Sequence, residues 1–471
     1  MPAYNHCLCL YPYRKDLKRG RCFPPVGLEI IARVLAPHCR NIDVIDLRHE
    51  FGVARDFLKP ETDLVCLSVN WERDGDFVRE QVRSIPAEIL TVMGGRHASE
   101  DAAGWLANFP NIDILVRGDG EEAIEEIARG EPLEKIAGIS YRRNGAIVHN
   151  PNRALGSIRD DLYPDRRMRR YRYTVDFEGA DTGLAVDVLT GSRGCPHNCK
   201  FCSFSHNPLG EKRKYSARSP ESVVEELGQL DADLVLFADD IFNHDMDRVA
   251  RLCDLIMERG IEKRYVANAR IEIAARMDVV RKMEQAGFAA LLLGIESAQD
   301  RTLRSLGKGF DTGKIERCLD SLRHTRMMLH GYFILGCIGE TEEDMLAIAP
   351  FARRVGLDTL GLSLLRTVPF DGLRQLVVDT PGYHVSREGF VYSDRIPRDK
   401  LREIRRAIWR KFYSPGHVLR LAWKLLHGRL VTPALLARLL VAGIKGGLAR
   451  RRRKRKLRKS RINKGSTGVT H

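Results

Sequence analysis

The chain has 471 residues, of which 44% are hydrophobic and 30% charged, and its formal net charge is +15. This length predicts two or three domains, and the hydrophobic fraction is that of an ordinary globular protein. The 11 cysteines are too few for a disulfide-stabilised scaffold. Met1–Asp16 has no long apolar core, so the sequence predicts no signal peptide.

Residues 1–150 predict a doubly wound, Rossmann-like α/β domain. Helical segments such as Val26–Leu35 alternate with short apolar runs, which is typical of buried parallel strands. An Asn144-Gly145 turn predicts a closing hairpin over residues 137–149. Such a domain binds ligands at the carboxyl ends of its strands. The predicted strands are His6–Leu10, Ile42–Ile45, Leu64–Val69, Ile89–Met93 and Ile112–Val116.

The polar stretch 151–183 predicts a linker, and residues 184–366 predict a partial (β/α)6 barrel of the TIM type. Helical patterns lie at Met246–Arg259, Ile273–Ala286, Thr312–Thr325 and Glu342–Val355, and another begins at Pro220. Six such βα repeats predict a parallel sheet that is curved into a partial barrel. In such barrels the reactive groups lie on the loops that follow the strands. The predicted strands are Leu184–Leu189, Leu234–Ala238, Tyr265–Ala269, Ala290–Gly294, Leu329–Leu335 and Thr359–Leu364.

Three cysteines follow the first barrel strand with the spacing C-x3-C-x2-C, at Cys195, Cys199 and Cys202. Closely spaced thiolates hold iron–sulfur clusters, and a set of three leaves one of four irons for a ligand that is not protein. The alternatives are a zinc site completed by His206, a disulfide, and buried structural cysteine. Short zinc motifs more often pair C-x2-C with a distant second pair, and three thiols cannot all form disulfides.

The motif, with Phe201 directly before its last cysteine, resembles that of the radical S-adenosylmethionine (SAM) enzymes. The resemblance implies that Cys195, Cys199 and Cys202 hold a [4Fe–4S] cluster whose fourth iron is chelated by SAM. One electron then cleaves SAM to a 5′-deoxyadenosyl radical, and the protein positions the substrate. It also implies a reducing, cytoplasmic location and an electron donor such as flavodoxin or ferredoxin.

Candidate SAM contacts lie at the ends of four further predicted strands. The first pair occupies the position of the family's Gly-Gly-Glu-like element, and Glu296 lies in a sequence that resembles its Gly-x-Glu-Ser element. For each acid the alternative role is a helix N-cap or a solvated loop charge. No catalytic residue is predicted. The candidates are Asp239, Asp240, Asn268, Arg270, Glu296, Gly336 and Gly339.

Four segments of the N-terminal domain resemble the cobalamin (B12)-binding-type domain that precedes the barrel in one branch of radical SAM proteins. They include Met93-Gly94-Gly95-Arg96-His97 and Gly118-Asp119-Gly120-Glu121, and the whole resemblance covers about residues 1–365. The Asp-x-His-x-x-Gly signature that replaces the lower axial base is absent, and His97 is not the same element. Cobalamin binding is therefore implied but open, because the glycines also fit an ordinary tight turn.

Residues 367–449 predict a C-terminal helical region, and residues 450–471 a disordered basic tail. Arg438 and Lys445 make segment 430–449 a poor membrane span. It suits an interfacial helix or a helical subdomain on the barrel mouth. Nine of residues 450–459 are Lys or Arg, a block that suits anionic lipid, nucleic acid or mere solubility. Because it lies next to amphipathic helices, anionic lipid at the inner membrane face is favoured over nucleic acid.

These features predict radical chemistry on an unactivated carbon of an unidentified small molecule. With cobalamin the reaction is C-methylation, and without it cyclisation, oxidation or rearrangement remains open. The C-terminal helices weakly favour a lipid-like substrate. A methylthiotransferase is disfavoured because Cys7, Cys9, Cys22, Cys39 and Cys66 lack that family's surrounding sequence. From a different class, a non-enzymatic iron–sulfur or zinc protein that binds nucleic acid remains an alternative.

Overall fold

Two seven-stranded sheets, each covered by helices, organise the chain. The computed structural model describes residues 2–14, 22–72, 74–177, 180–204, 206–367, 372–427, 431–439 and 441. The α/β class and the two-sheet architecture agree with the sequence prediction.

The first sheet has the strand order β2-β1-β3-β4-β5-β6-β7, and its first five strands are parallel. The antiparallel hairpin β6–β7 extends it, and its turn residues Asn144 and Gly145 both have positive φ, as a two-residue hairpin turn requires. The strands are β1 (Tyr4–Tyr11), β2 (Cys39–Asp46), β3 (Thr62–Ser68), β4 (Leu90–Gly94), β5 (Ile114–Val116), β6 (Ile139–Arg143) and β7 (Ala146–His149).

Helices cover both faces of this sheet, so its central strands are buried on both sides. Leu8, Leu10, Val65 and Leu67 are 2% exposed or less, which explains why these strands are continuous apolar runs rather than alternating ones. The helices are α1 (Val26–Leu35), α2 (Gly75–Arg83), α3 (Arg96–Glu100), α4 (Ala102–Asn108) and α5 (Glu121–Ala128).

The second sheet has the order β16-β15-β14-β13-β12-β9-β8, with six parallel strands in chain order. The strand β8 pairs antiparallel with β9 at one edge, so the expected linker 151–183 was too long: its last residues already belong to this sheet. The strands are β8 (Thr174–Phe177), β9 (Ala180–Leu189), β10 (Ser192–Arg193), β11 (Ser216–Ala217), β12 (Leu234–Phe237), β13 (Arg264–Ala269), β14 (Phe288–Glu296), β15 (Met328–Leu335) and β16 (Thr359–Leu364).

The helices between these strands pack on one face of the sheet around an aromatic cluster of Phe237, Phe242, Tyr265 and Phe288. Offset and tilted aromatic pairs of this kind stabilise a core beyond the area they bury. The helices are α6 (Pro220–Gly228), α7 (Met246–Glu258), α8 (Met277–Gln285), α9 (Asp300–Leu306), α10 (Thr312–Leu322), α11 (Glu342–Leu346) and α12 (Ile348–Arg354).

The C-terminal region is not purely helical, because it contains a short hairpin. Its longest helix, α14, belongs to the barrel core, since Leu401, Ile404, Ile408 and Phe412 are buried there. The elements are α13 (Gly372–Val378), β17 (Tyr383–Val385), β18 (Val391–Ser393), α14 (Arg398–Phe412) and α15 (Pro415–His427). Residues 442–449 and the predicted tail 450–471 lie outside the described residues. Among the described helices, none combines the length and apolar character needed to cross a bilayer.

A buried arginine in the expected linker ties the two domains together. Arg169 donates from Nη2 to Glu29 of α1 at 2.7 Å and from Nη1 to Asp187 of β9 at 2.7 Å. Its side chain is 12% exposed, and those of the two acids are 4% and 3% exposed. A guanidinium is suited to this position because its planar fork serves two carboxylates at once.

We expect Arg169→Ala to lower the free energy of unfolding by about 3–5 kcal/mol, since the buried Glu29 loses its cation and the buried Asp187 keeps only Arg166, at 3.6 Å. The measurement is urea unfolding followed by circular dichroism. Arg167→Ala is the matched control, because that side chain is 89% exposed and pairs only with Asp165. Its expected effect is below about 1 kcal/mol. Equal effects of the two substitutions would contradict the assigned role.

Candidate functional site

The three motif cysteines lie on the loop that leaves the carboxyl end of β9. The short β10–β11 ladder closes the base of this loop, and all three thiols are half-buried. Gly194 has φ 84°, and a Cβ there would lie 2.2 Å from the Lys214 carbonyl oxygen. Only glycine therefore allows the two arms of the loop to pack this closely.

The motif thiols are not arranged around a single metal ion. Ligands of a tetrahedral zinc lie about 3.8 Å apart, because each Zn–S bond is about 2.3 Å long. Within the described residues, the one set of three potential ligand atoms that all lie within 4.8 Å of one another is Cys7, Cys9 and Cys66. The zinc alternative with His206 is thus not supported, whereas thiolates on separate irons of a cluster need a wider spacing.

The predicted residues Asp239 and Asp240 hold the cysteine loop from the end of β12. Asp239 Oδ1 accepts from the Gly191 amide at 2.7 Å, and its Oδ2 accepts from Ser192 Oγ at 2.8 Å. Asp240 Oδ2 accepts from the Gly194 amide at 2.7 Å. Burial raises the pKa of Asp239 to about 6 and also raises that of Asp240, because a desolvated carboxylate loses its hydration.

Arg270, after β13, approaches the motif directly. Its Nη1 donates to Cys199 Sγ at 3.8 Å, and its Nη2 donates to the Lys308 carbonyl at 2.7 Å. A cation beside a thiol favours the thiolate, which is the form that binds iron. Asn268 lies at the same strand end, where its carbonyl accepts from the Phe242 amide at 3.1 Å.

Glu296 sits in a strained position at the end of β14. Its φ is 73°, and the ladder to β15 shifts register between Gly294 and Glu296. The carboxylate is buried and lies 3.3 Å from Lys308 Nζ. A Cβ at Gly294 would lie 2.7 Å from Glu296 Oε1, so glycine leaves room for this ion pair. Positive φ in a residue other than glycine, next to a bulge, is characteristic of functional sites.

The glycines after β15 are held by other protein groups. Glu340 Oε2 accepts from the amides of Gly336 at 2.9 Å and Cys337 at 3.2 Å, and Tyr383 Oη accepts from the Gly339 amide at 2.7 Å. The amides of both proposed glycines are therefore engaged within the chain. Glu340 Oε1 is buried and has no hydrogen-bond partner in the described structure, and burial raises the pKa of this carboxyl to about 7.

A cavity of about 200 Å³ opens at the carboxyl edge of the first sheet, between α1 and α5. Its lining includes Gly94, Gly95, Gly118 and Gly120. Gly95 has φ 104°, and a Cβ there would lie 2.6 Å from the Val69 carbonyl oxygen. His97 is not among the lining residues and packs edge-on against Trp105 of α4.

Ion pairs and hydrogen bonds hold this cavity beside the cysteine loop. Arg193, which lines the cavity and lies two residues before Cys195, bonds to Glu121 at 2.6 Å. Arg213 bonds to Asp119 at 2.7 Å. Arg96 Nη2 donates to the carbonyls of residues 203 and 206 at 3.1 Å each. The carboxyl edges of the two sheets therefore face each other.

Comparison with protein families finds a match for the barrel and another for the N-terminal domain. Residues 189–352 match the radical SAM superfamily, and residues 17–128 match the B12 binding domain. The chain therefore contains a radical SAM domain, with a B12-binding domain ahead of it.

Two similar proteins align with about two thirds or more of this chain. It is 29% identical over 79% of its length to an uncharacterized methyltransferase, PH0819, of Pyrococcus horikoshii, and covers 83% of that protein. It is 27% identical over 66% of its length to the hopanoid C-3 methylase of Methylococcus capsulatus, and spans only 62% of that protein.

Solved structures confirm the fold. The radical SAM methyltransferase TsrM of Kitasatospora setae, with cobalamin and a [4Fe–4S] cluster bound, has a TM-score of 0.66 at 16% identity. The alignment covers 88% of this chain and 90% of TsrM. The cobalamin-dependent enzyme OxsB has a TM-score of 0.68 at 12% identity, with 99% of this chain and 82% of OxsB covered.

The residues present fit the cofactors of a B12-binding radical SAM protein. Three half-exposed thiols suit iron better than one zinc, and Glu340 Oε1 is a buried acceptor without a partner. A glycine-lined cavity admits a bulky ligand close to the backbone. Sequence reasoning did not identify Lys308 or Arg193 as site residues. Gly307, which ends α9 with φ 70°, was the available signal for the loop that carries Lys308.

Cys7, Cys9 and Cys66 form a separate thiol cluster in the core of the first sheet. All three are buried, and the sulfurs of Cys7 and Cys9 are 3.8 Å apart. This close packing leaves no space for a cubane between them.

We expect Asp239→Ala to lower the iron and sulfide content of the reconstituted protein by about twofold or more, because the cysteine loop loses two buried hydrogen bonds. The measurement is colorimetric iron and sulfide analysis with the 400-nm absorbance region. Asp231→Ala is the control, since Asp231 is exposed and precedes β12, at the opposite end of that strand from Asp239. Unchanged iron in Asp239→Ala would contradict the assigned role.

Proposed function

We propose that this chain is a cobalamin-dependent radical SAM methyltransferase that acts on an unactivated carbon of an apolar small molecule. One observation carries the proposal: the cysteine loop at the carboxyl end of the half-barrel is tied by arginines to the cavity of a B12-binding domain. The [4Fe–4S] cluster with SAM supplies a 5′-deoxyadenosyl radical when bound, and cobalamin supplies the methyl group.

The chain's own residues would hold and orient these groups. Cys195, Cys199 and Cys202 would ligate the cluster, and Arg270 would balance the charge of the Cys199 thiolate. Asp239 already has both oxygens engaged, so its proposed role is to position the loop.

The proposed SAM contacts are five groups that border the loop or the strand ends. Asp240 retains Oδ1, and Glu340 retains the unpartnered Oε1, for donors on the ligand. The remaining contacts proposed from the sequence are Asn268, Glu296 and the backbone around Gly336 and Gly339. The Glu296–Lys308 pair would fix the floor of this site, since both side chains are 9% exposed or less.

The open cavity of the B12-binding domain favours methylation over cobalamin-free cyclisation or oxidation. Glycines of three strand-end loops line this cavity and leave space for a ligand. A domain with only a structural role would not need that space. PH0819 and the hopanoid enzyme carry methyltransferase and methylase names, although related cyclases that act on magnesium-protoporphyrin IX monomethyl ester have similar sequences.

The inner face of the half-barrel supports an apolar, lipid-like substrate. Side chains that alternate with buried core residues along the strands point away from the helices. On β12, β13, β14 and β15 these include Leu236, Val266, Leu292 and Tyr332, which are all partly exposed. These apolar side chains would contact an apolar small molecule, while Asn268 and His330, at alternating positions of β13 and β15, are polar groups on the same face.

The chain's proposed partners follow from this chemistry. Reductive SAM cleavage consumes one electron, and we propose flavodoxin or ferredoxin as its donor. A lipid-like substrate also makes a peripheral membrane contact useful, and the exposed C-terminal helix is its proposed location. We further propose the cytoplasm as the compartment, because cluster thiols need reducing conditions.

We expect Cys199→Ala to lose most of its iron and to release 5′-deoxyadenosine from SAM only at background level under dithionite, since three thiolates are needed to hold the cluster. Anaerobic reconstitution, iron analysis and chromatography of the nucleoside products are the measurements. Cys318→Ala is the control, because Cys318 is also a half-buried thiol but lies on α10. Wild-type iron and nucleoside release in Cys199→Ala would refute the proposed function.

We expect Gly94→Val to reduce bound cobalamin by about tenfold while it keeps iron unchanged. Gly94 lines the cavity, and a Cβ there meets no atom closer than 3.8 Å, so the added side chain starts in open space and occupies part of the cavity. The readouts are cobalamin absorbance per chain and formation of S-adenosylhomocysteine. Gly228→Ala, on α6, is the control, since nothing lies within 4 Å of a Cβ there. Equal cobalamin in all three proteins would contradict this binding site.

A further inference from the structure

A second, larger cavity lies at the opposite end of the half-barrel from the cysteine loop. It has a volume of about 690 Å³ and is bounded by the loop before β15, the loop before β16 and helix α15. Residues of the two loops precede their strands, so this cavity is at the amino-terminal edge of the sheet. Its size falls within the range of small-ligand sites.

The lining of this basic cavity is strongly cationic. Five arginines, one lysine and three histidines face a single acid, Asp358, and Lys424 Nζ already occupies that carboxylate at 2.6 Å. Three of the arginines are paired, Arg323 with Asp320, Arg326 with Glu284 and Arg354 with Glu316. Arg353 and Arg420 form no ion pair with any described residue. An excess of unpaired guanidinium groups attracts phosphate, which guanidinium binds with two parallel hydrogen bonds.

A buried histidine provides an independent indication of a ligand. His417 is 5% exposed, and its Nε2 lies 2.9 Å from the Asp358 carbonyl oxygen, to which it donates. His417 is one of the residues that line the cavity, and its Nδ1 is buried with no hydrogen-bond partner in the described structure. A buried polar atom without a partner costs free energy unless a ligand or water satisfies it.

The outer face of α15 is apolar next to this cavity. Leu419 is 72% exposed, Trp423 is 59% exposed and Val418 is 40% exposed. In a helix that also carries Arg420 and Lys424, this is the arrangement of a segment that lies in a membrane interface, with tryptophan at the level of the headgroups.

The C-terminal sequence, residues 442–471, does not complement the charge of the basic cavity. Residues 442–471 contain 12 Lys or Arg and no Asp or Glu, so like charges would repel. The same segment strengthens attraction to an anionic surface, because each basic residue near the lipid adds to binding. Charge complementarity therefore selects anionic lipid as the occupant.

We propose that the basic cavity binds the phosphate of an anionic phospholipid headgroup while the apolar face of α15 enters the membrane interface. The inference deepens the proposed membrane contact by naming its site and its lipid chemistry. This orientation keeps the carboxyl edges of both sheets, with the cysteine loop, directed away from the headgroups. The electrostatic part of the binding weakens as salt rises.

The test is co-sedimentation of the full-length protein with vesicles of phosphatidylcholine alone or with added phosphatidylglycerol. We expect Arg353→Glu/Arg420→Glu to lower the partition onto phosphatidylglycerol vesicles by about tenfold or more, because two guanidinium groups near the lipid are reversed. Leu419→Ser/Trp423→Ser should lower it through lost apolar insertion. Arg40→Glu/Arg55→Glu is the charge-matched control in the N-terminal domain, where both side chains are exposed.

Several outcomes would overturn the proposal. They are wild-type partition of Arg353→Glu/Arg420→Glu, equal partition onto the two vesicle types, and binding of double-stranded RNA in preference to vesicles. Full competition by millimolar inorganic phosphate, without loss of binding in Leu419→Ser/Trp423→Ser, would assign the cavity to free phosphate instead. Release of 5′-deoxyadenosine by the same variants is expected to match wild type, which separates a failure of this site from a failure of the proposed function.

Discussion

Arginine–carboxylate contacts between the domains impose the constraint on which the rest of the site depends. Arg193 and Arg213 come from the segments that flank the cysteine loop. They bind Glu121, at the start of α5, and Asp119, on the loop before it. In each pair one side chain is largely buried, Glu121 in the first and Arg213 in the second, and its charge would be costly without the partner. Because each pair joins one sheet to the other, the carboxyl edges of both sheets are held face to face.

Within that frame the barrel mouth contains several buried carboxyl groups. Asp239, Glu296 and Glu340 are each 7% exposed or less, and burial raises the pKa of all three. Amides, a hydroxyl and one ammonium group offset part of the desolvation cost. Glu296 adds a positive φ. Buried charges and backbone strain at one end of the barrel reduce stability, and together they are typical of a binding site.

The sequence allowed the strands to be predicted where burial leaves a simple pattern. All six parallel barrel strands and the five parallel N-terminal strands correspond to apolar runs, because helices cover them and few polar residues are tolerated there. The cysteine loop was predictable for the same reason, since it follows the first barrel strand. The strand β8 and the start of β9 lie in a polar stretch, and an edge hairpin has no comparable burial signal.

The roles of individual site residues were less predictable, because they depend on contacts between distant segments. Asp239 was proposed as a SAM contact from its position alone. In the structure its two oxygens accept hydrogen bonds from Gly191 and Ser192, which lie 48 and 47 residues earlier in the chain. Lys308 reaches Glu296 only because α9 ends at Gly307 and returns the chain to the mouth. Pairings of this kind are fixed by tertiary packing, and no local pattern of residue types encodes them.

The cysteine loop also forms part of the wall between the two cofactor sites. Arg193 lines the glycine-rich cavity, and Cys195 follows it by two residues. Both arms of the loop are fixed, by Asp239 and Asp240 on the barrel side and by Glu121 and Asp119 on the other. A segment clamped from both sides cannot adjust to a ligand in one site without a change in its contacts at the other. Occupancy of the two sites is therefore coupled through this one loop, provided that the two ligands prefer different positions of it.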